Sequence, residues 1–519
     1  MTGARTITLT LVSHTNAGKT TLARTLLGRD VGEVRDAPHV TEFADEHVLV
    51  ESAAGHRLTL WDTPGFGDSV RLARRMRQST SPLGWLLGQV WDRWRDRAFW
   101  MSQQALRHVK EGSDVLLYLV NASEPEAGYL ASEMQLLAWT GKPVLVLINQ
   151  LGPPRDAAAE QGELDAWRER LAPWSHVRGV LPLDAFARCW VHEAVLLQAV
   201  QGLFDGDAER TAAMDDLRAA WAARREAVFA ESTAELAASL ARVALAREEV
   251  DEAPGLTARL REWGTRVLRP DAQDPVALAE QRLTAALAAE VRASTQRLLR
   301  LHGLAGRLAG NAARPVAGSA GDDRAGDETV TRILERVAAQ VEPHRRLPEG
   351  RAAVLGGALT GALAGLKADV ATGGLTLGGG LLAGGLLGAL GAAGLARGIN
   401  LVRGTGQSWV GWGTAAMPAL TEAALLRYLA VAHYGRGRGE WAEAEAPPHW
   451  PGAVAAALAA RQPDFERLWK ARSERQSAPE EAERLAAALQ PLLAEVLRET
   501  LARLYPKAPV RGAPDNVRT

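Results

Sequence analysis

The sequence predicts an α/β domain with a mainly parallel six-stranded sheet and flanking helices over residues 1–205, followed by an all-α region that contains a Gly-rich helical hairpin. Three observations carry this expectation. From Arg5 to about Asp205, short β-branched or leucine-rich runs alternate with helical stretches, as strands joined by crossover helices do. From Ala208 onward β-branched residues thin out, and Ala, Leu, Arg and Glu recur at helical spacing. Within that half, Ala352–Ala396 is a Gly/Ala/Leu segment with glycines at every fourth position. A chain of 519 residues exceeds one compact core, so several units are expected.

In order, the expected strands are Thr6–Val12, His47–Glu51, Arg57–Trp61, Asp114–Val120, Pro143–Ile148 and Val177–Leu183. Helical periodicity then marks Asp215–Glu249, Pro275–Leu304, Thr329–Val341, Ala415–Tyr434, Pro451–Arg472 and Pro479–Leu504. The last has Ser477 placed as N-cap, Pro479 in its first turn, and Leu485, Leu489, Leu492, Leu493, Val496 and Leu497 along one face. Gly310 to Glu328 is rich in Gly, Ala, Asp and Ser and reads as a flexible linker. The expected organisation is therefore 1–205, a helical region 206–309, a linker 310–328, and a second helical region 329–519 that holds the hairpin 352–396.

Lys+Arg 60 against Asp+Glu 61 leaves a net charge of −1, so no field favours a nucleic-acid partner. The single cysteine, Cys189, excludes an intramolecular disulfide framework and a multi-cysteine zinc site and fits a reducing, cytoplasmic setting. The N-terminal residues lack the pattern of a secretory signal.

Four pieces of sequence assemble a nucleotide site. Ser13-His14-Thr15-Asn16-Ala17-Gly18-Lys19-Thr20 follows a strand and precedes the helical pattern Thr21–Leu27. Such a loop aims backbone N–H groups and a helix N-terminus at a phosphate; Lys19 serves the β/γ-phosphates and the Thr20 hydroxyl serves Mg²⁺. Asn16 through Thr21 are thus candidate nucleotide contacts, and Ser13 stands where GxxxxGK[ST] has its first glycine. Asp62-Thr63-Pro64-Gly65 ends the third piece of strand pattern; its carboxylate suits Mg²⁺ and the Gly65 backbone suits the γ-phosphate. Between them Thr41, in a polar Pro-containing stretch, is placed to close over Mg²⁺ and the γ-phosphate, or is simply a loop residue. The fourth piece is the strand Val144–Ile148 running into Asn149-Gln150-Leu151-Gly152. Asn149 keeps the first position of an Asn-Lys-x-Asp base motif, while Gly152 occupies the position whose aspartate binds guanine. Asp184-Ala185 is similar to the loop whose backbone N–H meets the guanine oxygen, and Asp156 is a more distant carboxylate in a loop.

On these residues the first 200 or so resemble the Era-type branch of the translation-factor class of P-loop GTPases, and the whole chain resembles a family of bacterial GTPases with a helical C-terminal domain of unknown function. The resemblance implies Mg²⁺-dependent GTP binding and hydrolysis: Ser13–Thr20 as phosphate loop, Lys19, Thr41 and Gly65 as the catalytic set, and Thr20, Thr41 and Asp62 around the metal. The departures Ser13, Gln150 and Gly152 bear on affinity and base choice, so ATP stays open beside GTP and GDP. Phe66 stands where many relatives keep a water-orienting glutamine, which implies slow hydrolysis without help. Asn16 occupies the position that coordinates a potassium ion in Era-type enzymes; the alternative is a loop asparagine satisfying its own backbone.

Two segments point to further partners. Leu83–Met101 sets Leu83, Leu87, Val90, Trp91, Trp94, Ala98 and Met101 at helical spacing, a stripe for a bilayer surface or for packing on its own protein. In Ala352–Ala396 the series Gly357, Gly361, Gly365 and Gly380, Gly384, Gly388 would let helix backbones touch, in a membrane hairpin or a tightly packed soluble one. Nucleotide, membrane lipid, and a protein effector or second copy are the expected partners. A cytoplasmic protein that reversibly engages the inner membrane follows, and its alternative is a nucleotide-gated membrane or pore-forming protein with little turnover.

Overall fold

The computed structural model describes residues 3–14, 17–28, 45–66, 68–79, 81, 97–124, 127–151, 157–183, 189–250, 275–304, 399–403, 408–434, 447, 449–472, 479–506 and 508. It divides into two compact units, Met1–Ala227 with Ala432–Pro447 and Lys507–Val510, and Val228–Val431 with Pro448–Pro506 and Arg511–Thr519. The linker 310–328, the helical stretch Thr329–Val341, the hairpin Ala352–Ala396, Ser477, and residues 83–96 of the tryptophan-bearing stretch lie outside the described residues.

The first unit is built on β1 (Thr6–Ser13), β2 (Asp45–Glu51), β3 (Arg57–Asp62), β4 (Val115–Asn121), β5 (Val144–Asn149) and β6 (Val177–Pro182). They form one sheet of order β2-β3-β1-β4-β5-β6 in which only β2, on the edge, runs antiparallel to its neighbour. All six expected strands are present. β4 and β5 read as near-continuous apolar runs because helices cover both faces. Side chains alternate between them: Leu9, Leu11, Leu117 and Leu147 face α1 (Lys19–Leu27), α6 (Trp190–Gly202) and the start of α7 (Ala208–Leu245). Val12, Leu116, Tyr118 and Ile148 face the other layer, α2 (Ser69–Arg77), α3 (Arg97–Gly112), α4 (Leu130–Thr140) and α5 (Ala157–Leu171). The strand order reverses at β1, whose neighbours β3 and β4 lie on opposite sides, so its carboxyl end opens the crevice where such sheets bind ligands.

The second unit is mainly helical, as expected: the later part of α7 from Val228, then α8 (Pro275–Leu301), α9 (Met417–Ala432), α10 (Trp450–Ala471) and α11 (Pro479–Leu504). On α11, Leu485, Leu489, Leu493, Val496 and Leu497 are buried, while Leu492 is only half-buried. An addition to the expected all-α region is a small antiparallel sheet of order β7-β9-β8, made by β7 (Arg247–Val250), β8 (Ile399–Arg403) and β9 (Ser408–Trp412). No described helix is long and apolar enough to cross a membrane.

Candidate functional site

The site forms where β1 passes into α1. Gly18 sits at the N-cap of α1 with φ 92° and ψ 23°, a left-handed conformation that glycine adopts without a Cβ penalty, and Leu22 N donates to its carbonyl at 2.9 Å to begin the helix. The first turn of α1 holds no acidic residue, so its N-terminal amides and dipole are not neutralised from within.

Lys19, on the first turn, is buried, and its Nζ donates to Ser13 Oγ at 2.9 Å. Ser13, at the last residue of β1, has its hydroxyl bonded in turn to the His14 carbonyl at 2.6 Å. The departure from glycine at Ser13 therefore supplies an acceptor that holds the ammonium in the loop. Burial pushes the Lys19 pKa down from the ordinary lysine value, against the opposing charges of Asp62 and Glu133.

Thr20 Oγ1 donates to Asp62 Oδ2 at 2.5 Å, joining the start of α1 to the end of β3 across 42 residues. A hydroxyl and a carboxylate oxygen are the hard donors that Mg²⁺ combines with phosphate oxygens and water. No group of three or more His, Cys, Asp or Glu side chains among the described residues is placed to hold a metal. After Asp62 the chain stays docked on β1: Thr63 Oγ1 donates to Leu11 O at 2.6 Å, and Phe66 N donates to Ser13 O at 3.0 Å, with His14 and Phe66 paired as a parallel bridge. Gly65, half-buried, lies inside this clamp.

Asn149, at the end of β5, is fully buried and its Nδ2 donates to Ala17 O at 3.0 Å, tying the base-motif strand to the loop. Gln150 follows with φ 59°, an uncommon conformation for a residue with a side chain. Thr21 is half-buried on α1, and its carbonyl accepts from Thr25 Oγ1 at 3.0 Å. The structure thus gathers Ala17, Gly18, Lys19, Thr20, Asp62 and Asn149 at the carboxyl end of β1. Asn16, Thr41, Gly152, Asp156, Asp184 and Ala185 lie outside the described residues.

One group beside the loop was not singled out from sequence. Glu133, fully buried on α4, is 2.7 Å from His14 Nδ1 and accepts the Tyr118 hydroxyl at 2.7 Å. A sequence signal existed: Glu133 shares the helical stripe of Leu130 and Leu137, where an exposed carboxylate is out of place.

Residues 8–150 match the family model described as 50S ribosome-binding GTPase. GTPase Der of Deinococcus deserti is 27% identical over 149 residues, which are 28% of this chain and 26% of that protein, so the match spans about a quarter of the curated relative's length. Among solved structures, Era of Aquifex aeolicus bound to GDP and AlF4− is 19% identical with a TM-score of 0.28, covering 37% of this chain and 56% of its own. The G-domain of FeoB from Methanococcus jannaschii is 18% identical with a TM-score of 0.20, covering 41% of this chain and 99% of its own. The six-stranded sheet carries at the end of β1 the loop and helix start of a phosphate-binding α/β domain, and over residues 8–150 this N-terminal part is similar to the 50S ribosome-binding GTPase family.

Proposed function

We propose that the chain is a Mg²⁺-dependent switch that binds and hydrolyses GTP through Lys19, Thr20, Thr41, Asp62 and Gly65, with Asn149, Asp184 and Ala185 toward the base. The observation that supports this best is the Thr20–Asp62 hydrogen bond beside the Lys19 ammonium, which sets a metal's oxygen donors next to a phosphate-binding cation. Bound Mg²⁺ would neutralise phosphate charge; the chain's own groups orient the phosphates, with Lys19 supplying a fixed positive charge and Gly18 the left-handed turn that opens the helix N-terminus. Slow unaided turnover fits Phe66, whose side chain is fully buried and whose amide is bonded to Ser13, so that this position does not orient a water.

The test is a competition titration followed by single-turnover hydrolysis. With glycine at position 152, GTP is expected to outcompete ATP by far less than the roughly 10⁴–10⁵-fold that buried hydrogen-bonding recognition achieves. Hydrolysis is expected to run faster in potassium than in sodium, with Asn16→Ala removing the difference. A several-thousandfold preference for GTP would assign base reading to another residue, and equal rates in the two salts would leave Asn16 a loop residue. Binding without measurable turnover would favour the second reading, a nucleotide-gated interaction protein, which the burial of Phe66 also supports.

The glycine series in Ala352–Ala396 supports reversible membrane association as the output of the switch. Liposome co-sedimentation is expected to differ between GDP and a non-hydrolysable GTP analogue, since a ligand shifts an equilibrium only by its differential affinity for the two states. Gly361→Leu and Gly384→Leu should lower the pelleted fraction while leaving nucleotide binding intact. Wild type in the supernatant under both nucleotides would return the glycines to soluble packing.

A further inference from the structure

The second residue of the phosphate loop is held by a residue 119 positions away. Glu133 Oε1 lies 2.7 Å from His14 Nδ1, while Oε2 accepts the Tyr118 hydroxyl at 2.7 Å. Tyr129, four residues before Glu133, stacks on the imidazole with ring centroids 3.9 Å apart and planes 7° from parallel. The Tyr129 hydroxyl bonds Glu124 at 3.3 Å, and burial, aided by Glu124 and Glu133, pushes its pKa up to about 12, so the stacked ring is a neutral phenol. One edge and one face of the His14 ring are therefore fixed by side chains outside the loop, and its backbone is fixed by the bridge to Phe66.

A fully buried carboxylate is costly unless it is hydrogen-bonded and matched by nearby charge. Docking of α4 does not require one, because Leu130, Met134, Leu136 and Leu137 already bury its apolar stripe. What the carboxylate adds is a grip on the loop and a negative charge that favours the Lys19 ammonium. We infer that Glu133 is a positioning residue for the nucleotide site, holding the start of the phosphate loop in place through His14. This rests on the nucleotide-binding reading above.

The experiment measures affinity for a fluorescent GTP analogue with Mg²⁺, together with thermal unfolding of the nucleotide-free protein, in wild type, Glu133→Leu, Glu133→Gln, His14→Ala and the double variant Glu133→Leu/His14→Ala. A displaced loop is expected to weaken binding by about 10- to 100-fold in Glu133→Leu and in His14→Ala. In Glu133→Gln the amide can still accept from Tyr118 and donate to Nδ1, so most of the affinity should return. Because the two residues act as one unit, the double variant should bind no worse than the poorer single. A role confined to packing would lower the unfolding temperature and leave affinity within about threefold of wild type, and that result overturns the inference. If Glu133→Leu does not fold, His14→Ala decides, since it leaves α4 untouched: wild-type affinity there also overturns it. Failure of the wild type to bind any nucleotide would overturn the proposed function and this inference with it, whereas tight wild-type binding unchanged in every variant overturns the inference alone.

Discussion

Lys19→Met is expected to weaken Mg²⁺-nucleotide binding by about two orders of magnitude or more while leaving the nucleotide-free protein at least as stable as wild type. The first half follows from charge. A hydrogen bond from an ammonium to a phosphate contributes about 1.5–3 kcal/mol, and at this loop it would be made in a buried setting. The second half follows from the same burial. Desolvation pushes the folded-state pKa of Lys19 below its unfolded value, so around neutral pH the folded protein carries an ammonium that it disfavours relative to the unfolded chain. The sign is that of a depressed basic group: stability rises with pH between the folded and unfolded values, where the unfolded chain binds the extra proton. Methionine keeps most of the stem volume and removes the charge, so the apo unfolding temperature should hold or rise, and the upward shift that nucleotide gives wild type should vanish. Lys19→Arg should not restore binding, because a planar guanidinium does not fit the place of a compact ammonium 2.9 Å from Ser13 Oγ. Isothermal titration and thermal unfolding with and without Mg²⁺-GTP check both halves. Undiminished affinity would remove Lys19 from the site, and a large fall in apo stability would mean that its bond to Ser13 outweighs its burial.

The contrast between Lys19 and Glu133 marks what the sequence made legible. Lys19 and Thr20 open α1 while Asp62 and Asn149 end β3 and β5, positions where a bound phosphate, a metal and the loop backbone would each demand one residue type, so local spacing alone singles them out. Glu133 has no such local demand. Its reason is a contact to His14 from another layer of the fold, which becomes visible only when β1 and α4 are placed together. Ser13 is similar: in the motif it reads as a missing glycine, and in the structure its hydroxyl accepts from Lys19.

The same division holds for the fold. The interior strands β4 and β5 are apolar up to their terminal asparagines because both faces are covered, β1 alternates leucine, isoleucine and valine with buried threonines, and all three were legible to within a residue or two. The small sheet of the second unit was not. Arg247-Glu248-Glu249-Val250 continues the composition of the helix before it, and it becomes a strand because β9 pairs with it. Gly411 on β9 is required by that pairing, since a Cβ there would meet the Trp409 ring at 2.9 Å and the Ala246 carbonyl at 3.2 Å. Arg247 lies over the same ring, 4.2 Å from its centroid, which adds a cation–π contact to the pairing.

Gly18→Ala is expected to lower stability by about 2–5 kcal/mol and to weaken nucleotide binding more than tenfold, through two costs that experiment can separate. The first is local: φ of 92° places a side-chain-bearing residue in the left-handed region, at about 1–2 kcal/mol. The second is long-range. A Cβ on Gly18 would stand 2.8 Å from Asn149 Nδ2, the group that donates to Ala17 O at 3.0 Å. Asn149 is fully buried at the end of β5, so the loop must shift or the amide must leave its acceptor, and an unsatisfied buried polar group costs about 1–3 kcal/mol. Asn149→Ala on its own should also destabilise, by leaving the Ala17 carbonyl without that donor. In the double variant Gly18→Ala/Asn149→Ala the clash is gone and the carbonyl's loss is counted once, so the combined effect should fall short of the sum by about 1 kcal/mol or more. Urea unfolding with an unchanged slope measures each term, and nucleotide titration of the same variants reports the loop. Strict additivity would mean that the left-handed backbone alone demands glycine at position 18, and that Asn149 steadies the loop without limiting what Gly18 can become.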